Sequence, residues 1–329
     1  MLWTRTILVL LAALACLLPV TQASMGDHSL IFQKCLAKCL KSNCSTENSS
    51  DEGKNPAVVE PFYLQLFWSC KDECGYNCMW ETVSTFEQRG WGVPQFYGRW
   101  PFIRVLGLQE PASVVFSLLN LVANLAMLNK FQLKVPKFVP GYHLWTIHSW
   151  VCINAWFWSS VFHSRDNVLT EKMDYFCAFS MVLYSFYCMA MRILHCQVNW
   201  MSISFSIICG CLMVFHVTYL SLLPRFDYSY NMTANVAIGV LNGLGWLIFC
   251  LIKWRKHRYV WRCALSVVLA LASMSLEILD FPPLLWTFDA HALWHLSTTM
   301  LPFLWCRFII DDCLHLLEKK EKDKKLKML

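Results

Sequence analysis

Residues 143–163 read HLWTIHSWVCINAWFWSSVFH, a run without Asp, Glu, Lys or Arg. About 20 predominantly apolar residues are needed for a helix to cross the hydrocarbon core of a bilayer. The run therefore predicts a transmembrane helix. Near its end lie Ser159 and His163, which share one helix face because they are four residues apart. An ionisable side chain at membrane depth is costly and indicates a functional site.

The composition of the whole chain agrees with a membrane protein. Its 329 residues are 57% hydrophobic and 15% charged, and its mean hydropathy is +0.41. Too few polar side chains are present to cover a soluble globule of this size. The net charge of +6 is modest and lies in short basic blocks between apolar runs, which favours membrane orientation over a nucleic-acid partner.

Seven apolar runs predict an all-α polytopic fold, a bundle of seven transmembrane helices. The runs are residues 103–128, 143–163, 174–191, 201–222, 233–252, 262–279 and 290–310. If residue 100 is lumenal, lysine and arginine are concentrated in the cytosolic connections, as the positive-inside rule requires. The sequence thus predicts a lumenal N-terminal domain and a cytosolic C-terminus.

The chain before the first span has two predicted parts. Residues 1–23 contain a short apolar run followed by small residues, the pattern of a secretory signal peptide. Residues 24–100 contain six cysteines in two triplets, which after a signal peptide predict a small disulfide-rich lumenal domain. They are Cys35, Cys39, Cys44, Cys70, Cys74 and Cys78. Fifteen pairings are open, and structural zinc is the competing interpretation.

Two further features complete the predicted domain organisation. Sequons beginning at Asn43, directly before the last cysteine of the first triplet, and at Asn48, between the triplets, predict a glycoprotein. Residues 101–315 form the predicted seven-transmembrane catalytic domain. The lysine-rich residues 316–329 form a cytosolic tail that also touches anionic lipid.

The sequence predicts a metal site from two separate motifs. Residues 289–295 read DAHALWH, so His291 and His295 lie on one helix face. With His163 from another helix they make the three-ligand set that leaves a catalytic zinc with an open position for water. The alternative is that these histidines form hydrogen bonds to neighbouring helices without a metal.

The predicted topology places the candidate residues at one depth, in the lumenal third of the bundle. Asp174 is then positioned to act as a general base that takes a proton from water. Ser159 is positioned to donate a hydrogen bond to an oxyanion, and a role as covalent nucleophile is disfavoured because His163 is committed to metal. Asp280 and Asp289 either orient the histidines or cap helices.

The chain resembles the Per1-like branch of the CREST superfamily, which also contains alkaline ceramidases and progestin and adiponectin receptors. The resemblance is carried by the cysteine triplets and by several motifs along the chain. These include VPQFYGRWPF at 93–102, QEPASVVFSLLN at 109–120, NAWFWSSVFHSRD at 154–166 and DAHALWH at 289–295. The superfamily pattern of serine-x3-histidine, aspartate and HxxxH falls on Ser159, His163, Asp174, His291 and His295.

The resemblance implies a specific activity. It implies a multi-pass enzyme of the Golgi membrane, a phospholipase A2-type hydrolase that removes the sn-2 acyl chain of glycosylphosphatidylinositol (GPI) anchors. GPI-anchored proteins and their lipid would then be its partners, and zinc its cofactor. Glu110 falls where ceramidases contribute to a calcium site, but the rest of that acidic cluster is missing here, so a structural hydrogen-bonding role is expected.

Three alternative functions are distinguishable by experiment. A ceramidase-like amidase would share the metal site but cleave an amide. A seven-helix receptor would hold zinc only for structure, and hydrolysis of purified lipid would exclude it. A scaffold for GPI-anchored proteins would keep full function after loss of the zinc ligands.

Overall fold

The structure is a computed structural model that describes residues 25–44, 68–194 and 199–327. Within these ranges the chain forms eleven α-helices and no β-strand, which confirms the all-α prediction. The helices are α1 (Met25–His28), α2 (Leu30–Asn43), α3 (Cys70–Gln88), α4 (Pro111–Lys134), α5 (Tyr142–Ser164), α6 (Val168–Ile193), α7 (Trp200–Leu222), α8 (Tyr228–Lys253), α9 (Val260–Leu279), α10 (Ala290–Thr298) and α11 (Leu301–Lys327). The predicted signal peptide and Asn48 lie outside the described residues.

The chain divides into two compact units, the first of which extends through Glu110 and includes residues 277–290. Its helices α2 and α3 are joined by three disulfides, so the disulfide prediction is confirmed. The bonds are Cys35–Cys78, Cys39–Cys74 and Cys44–Cys70. The order of the partners reverses along the chain because the two helices run antiparallel. The structure thus selects one of the fifteen pairings that the sequence left open.

The second unit, residues 111–276 and 291–329, is a helix bundle. In it α4 packs on α5 and α11, while α6 packs on α5, α7 and α8. The core of this unit contains Trp246 and Phe308, which are fully buried with ring centroids 5.5 Å apart. These packed helices fix the positions of the polar side chains described below.

The predicted spans differ from the observed helices by five residues or more at several boundaries. The first helix begins at Pro111 rather than 103, and the third begins at Val168 rather than 174. The predicted last span is two helices, α10 and α11, which are interrupted at residues 299–300. Pro302 lies in the first turn of α11, where its missing N–H is tolerated, whereas inside a continuous helix it would remove a hydrogen bond.

Four helices among the described residues are long and apolar enough to cross a membrane. They are α4, α6, α7 and α8. The other described helices of the bundle are shorter or less apolar than these four, so the total of seven spans stays a prediction. The chain is nevertheless organised as a multi-pass membrane protein.

A buried ion pair joins α6 to α11. The Arg192 guanidinium donates two hydrogen bonds to the Asp312 carboxylate, at 2.5 and 2.8 Å, and both side chains are buried. The hydroxyl of Tyr259, just before α9, donates a third hydrogen bond at 2.9 Å. Removing one member of a buried pair leaves the other charge uncompensated.

We expect Asp312→Ala to destabilise the protein by about 3–5 kcal/mol, because Arg192 would remain buried without its counter-charge. Asp311→Ala is the matched control, since the neighbouring Asp311 pairs with Arg262 and both of those side chains are partly exposed. Such pairs contribute about 0–1 kcal/mol. Thermal unfolding in detergent compares the two variants, and equal shifts of Tm would contradict the expectation.

Candidate metal centre

Three histidine side chains converge in the second unit. His163 is the penultimate residue of α5, and His291 and His295 lie one turn apart on α10. Their ring nitrogens can be chosen so that all three lie within 4.8 Å of one another, and the ring centroids are 4.5–5.2 Å apart. His163 and His295 are buried, while His291 is half-buried. The packing therefore brings the predicted ligands together.

The donor set fits zinc. Zn–N bonds of about 2.0–2.1 Å in a tetrahedral site place ligand nitrogens about 3.3 Å apart, so small side-chain rotations from the observed separation would suffice. Among the residues that the structure describes, the cluster contains three histidines and no cysteine or fourth histidine, so an ion bound by these imidazoles would keep one coordination position for water or substrate.

A serine on α4 links this histidine cluster to Ser159. The Ser117 Oγ lies 2.8 Å from Nδ1 of His295 and 3.0 Å from Oγ of Ser159, and all three side chains are buried. Because Nδ1 of His295 is engaged with Ser117, Nε2 is the nitrogen left to face a metal. Asn120 adds a hydrogen bond from its side-chain N–H to the His295 carbonyl, at 2.7 Å.

Asp174 lies on α6, outside the three-histidine group, and is half-buried. It follows the start of α6 by six residues, about 9 Å along the helix axis. Ser159 lies five residues before the end of α5, about 7.5 Å from the same short connection. The two residues therefore lie at similar depth on adjacent, packed helices. The general-base role of Asp174 stays a prediction.

The residues of this site lie within a region that matches a known protein family. The sequence model of the Per1-like family matches residues 61–313, a range that contains the whole histidine cluster and its hydrogen-bonding serines. The chain belongs to the Per1-like family.

Relatives of this Per1-like chain match over most of its length. A protein of Cricetulus griseus named GPI-specific phospholipase A2-like PGAP3 is 47% identical over 305 residues, covering 92% of this chain and 93% of its own. The Homo sapiens protein of the same name is 44% identical, with 97% and 98% covered. A Drosophila melanogaster protein named post-GPI attachment to proteins factor 3 is 43% identical, with 92% and 93% covered. No solved structure matches the chain.

Two acidic residues of the Per1-like chain have partners within the first unit. The Asp280 carboxylate accepts hydrogen bonds from the side chains of Trp100, at 2.6 Å, and Gln95, at 3.1 Å. It therefore holds this unit together rather than orienting a histidine. Glu110 is buried with its Oε1 3.6 Å from Nη1 of Arg99, in agreement with the structural role expected for it.

Ser117 and Asn120 were not predicted from the sequence, although a signal for them exists. Polar residues recur at 113, 117, 120 and 124 of the otherwise apolar α4, a spacing that places them on one helix face. A polar stripe on a membrane helix faces the bundle interior, so it marks the side of α4 that meets the site.

We expect Ser117→Ala to weaken zinc binding about 10- to 100-fold, because partners of metal-bound histidines orient the ring and raise its basicity. Ser266→Ala is the control, since Ser266 is also buried but donates to the carbonyl of Arg262 in its own helix. Zinc affinity is measured by titration against a competing chelator. Wild-type affinity in Ser117→Ala would exclude the orienting role.

Proposed function

We propose that this protein is a zinc-dependent lipid hydrolase that removes the sn-2 acyl chain of GPI anchors during fatty-acid remodelling of GPI-anchored proteins. The observation that carries the proposal is the cluster of His163, His291 and His295, which is connected through Ser117 to Ser159. The substrate class is supported by the names of relatives that match nearly the whole chain. We further propose that the protein acts in the Golgi membrane, with the cysteine-rich unit lumenal.

If His295 held zinc through Nε2, the donor and the acceptor in each of the hydrogen bonds from His295 to Ser117 and from Ser117 to Ser159 would be fixed. A neutral imidazole then carries its proton on Nδ1 and must donate to the Ser117 oxygen. Ser117 in turn donates to Ser159, which leaves the Ser159 hydroxyl hydrogen available for another acceptor. Ser159 can therefore donate to the oxygen of an ester carbonyl as negative charge develops there.

Zinc, when bound, would supply a water of lowered pKa and polarise the ester carbonyl. Asp174 is proposed to take the proton of the attacking water and return it to the leaving alcohol. Ser159 stabilises the oxyanion, and Ser117 and Asn120 position His295. The apolar bundle around these groups suits an acyl ester that resides at the membrane surface.

The test uses purified full-length protein and a GPI lipid whose sn-2 fatty acid is isotopically labelled. Chelator-sensitive release of that fatty acid is expected, and zinc should restore it. Release from ceramide instead would favour the amidase alternative. Absence of release from either lipid by zinc-loaded protein would favour a receptor or scaffold.

We expect Ser159→Ala to lower kcat by about 10²–10³ with zinc retained, because it removes one donor to the developing oxyanion. Ser160→Ala is the adjacent control, since the buried Ser160 donates to the carbonyl of Phe157 in its own helix. Fatty-acid release and zinc per protein are measured for both variants. Equal rates in the two variants would remove Ser159 from the mechanism.

A further inference from the structure

Two tight turns of the first unit carry leucine in a backbone conformation that leucine rarely adopts. Residues 105–108 form a turn whose end residues exchange backbone hydrogen bonds of 3.0 and 3.3 Å, and within it Leu106 has φ 53°. Leu285 has φ 54° in a second turn, closed by a 2.8 Å hydrogen bond from Leu284 N to Phe288 O. In this left-handed region Cβ crowds the following carbonyl, so glycine, asparagine and aspartate are preferred.

Both leucines point away from the protein. Leu106 is 79% exposed and Leu285 is 81% exposed. The two turns are neighbours, because the backbone N–H of Ile103 donates to the carbonyl of Trp286 at 3.0 Å. We call the exposed side chains of Ile103, Val105, Leu106, Leu284 and Leu285 the apolar turn patch. Contiguous exposed apolar side chains mark a surface that contacts a partner or a membrane.

The charged side chain next to the apolar turn patch, Arg104, is mostly buried within the first unit. Arg104 is the one ionisable residue in residues 103–108 and 284–288. Its guanidinium pairs with Glu73 and lies over the rings of Trp68 and Tyr76, 3.4 and 4.2 Å from their centroids. The patch therefore presents an uncharged surface, which suits hydrocarbon better than a polar partner.

The position of the patch along the chain places it close to a predicted membrane-spanning helix. Leu106 precedes Pro111 by five residues, and Pro111 begins α4, which is long and apolar enough to span a membrane. Five extended residues reach at most about 17 Å, so the turn cannot lie far from the membrane surface. We propose that the apolar turn patch inserts into the headgroup–acyl boundary of the leaflet at which α4 begins. Its partner is the lipid surface itself, independently of any hydrolytic activity.

The test uses full-length protein in phosphatidylcholine liposomes that contain a phospholipid with a photoactivatable diazirine near the glycerol end of its acyl chain. After illumination, mass spectrometry maps the labelled peptides. We expect label on residues 103–106 and 284–286 as well as on α4. Labelling of α4 without labelling of either turn would overturn the proposal.

A double variant tests whether the leucines cause this contact. Leu106→Asn with Leu285→Asn keeps the turns, because asparagine tolerates the left-handed region, but removes the apolar tips. Label on the turns should fall several-fold while label on α4 stays constant. Leu30→Asn is the control, since Leu30 is 70% exposed in the same unit but outside the patch. Unchanged label in the double variant, or crosslinks from the turns to a second protein copy instead of lipid, would overturn the proposal.

Discussion

His291→Ala and His295→Ala are each expected to reduce bound zinc from about one per chain to background and to abolish lipid hydrolysis. Each change removes one of three nitrogen donors whose positions are set by two helices, and no cysteine or further histidine belongs to the described cluster. A site with two remaining ligands would not retain the ion through purification. Zinc per protein and release of sn-2 fatty acid are measured on the same samples.

The control for this experiment is His148→Gln. His148 is buried on α5, the helix that carries His163, but its Nε2 hydrogen-bonds to Ser185 at 3.0 Å rather than to the cluster. Glutamine retains a polar group there, so wild-type zinc is expected. Wild-type zinc in both His291→Ala and His295→Ala would disprove the metal site, whatever the activity.

Asp174→Asn is expected to lower the rate by about 10²–10⁴ while most of the zinc is retained. The substitution is nearly isosteric and leaves the three histidines in place, but an amide cannot accept the proton of the attacking water. The acid limb of the kcat/KM profile should therefore disappear together with most of the rate.

Glu171→Gln is the control for Asp174→Asn. Glu171 lies in the first turn of the same helix, and its carboxylate accepts a hydrogen bond from the Tyr228 hydroxyl. Its loss should leave the rate of fatty-acid release near the wild-type value. Full activity in Asp174→Asn would exclude the general-base role, and loss of zinc in that variant would make Asp174 part of the metal site instead.

Several helix boundaries followed from the sequence with an error of a few residues. The predicted spans 143–163, 201–222 and 262–279 correspond to α5, α7 and α9, which differ from them by at most two residues at either end. These runs are bounded by polar or charged connections, so the change in polarity marks the helix ends. The run at 103–128 was predicted to begin too early, because the mostly apolar residues 103–108 precede the helix, which begins only at Pro111, after Gln109 and Glu110.

The sequence by itself determined which residues share a helix face and that the protein is a membrane protein. Four-residue spacing places His291 with His295, and Ser159 with His163, because residues one turn apart share a helix face in any α-helix. The apolar composition likewise predicted a membrane protein, because too few polar side chains are present to cover a soluble globule. Its apolar runs predicted helices, since backbone groups in lipid must form their hydrogen bonds within the protein.

Only the tertiary structure decided which helix faces meet. Ser117 and His295 are 178 positions apart and form a hydrogen bond because the polar face of α4 packs toward α10. The pairing of Cys35 with Cys78 depends in the same way on the antiparallel orientation of two helices. Such contacts arise from the fit of side chains between elements, which hydrophobic periodicity does not encode.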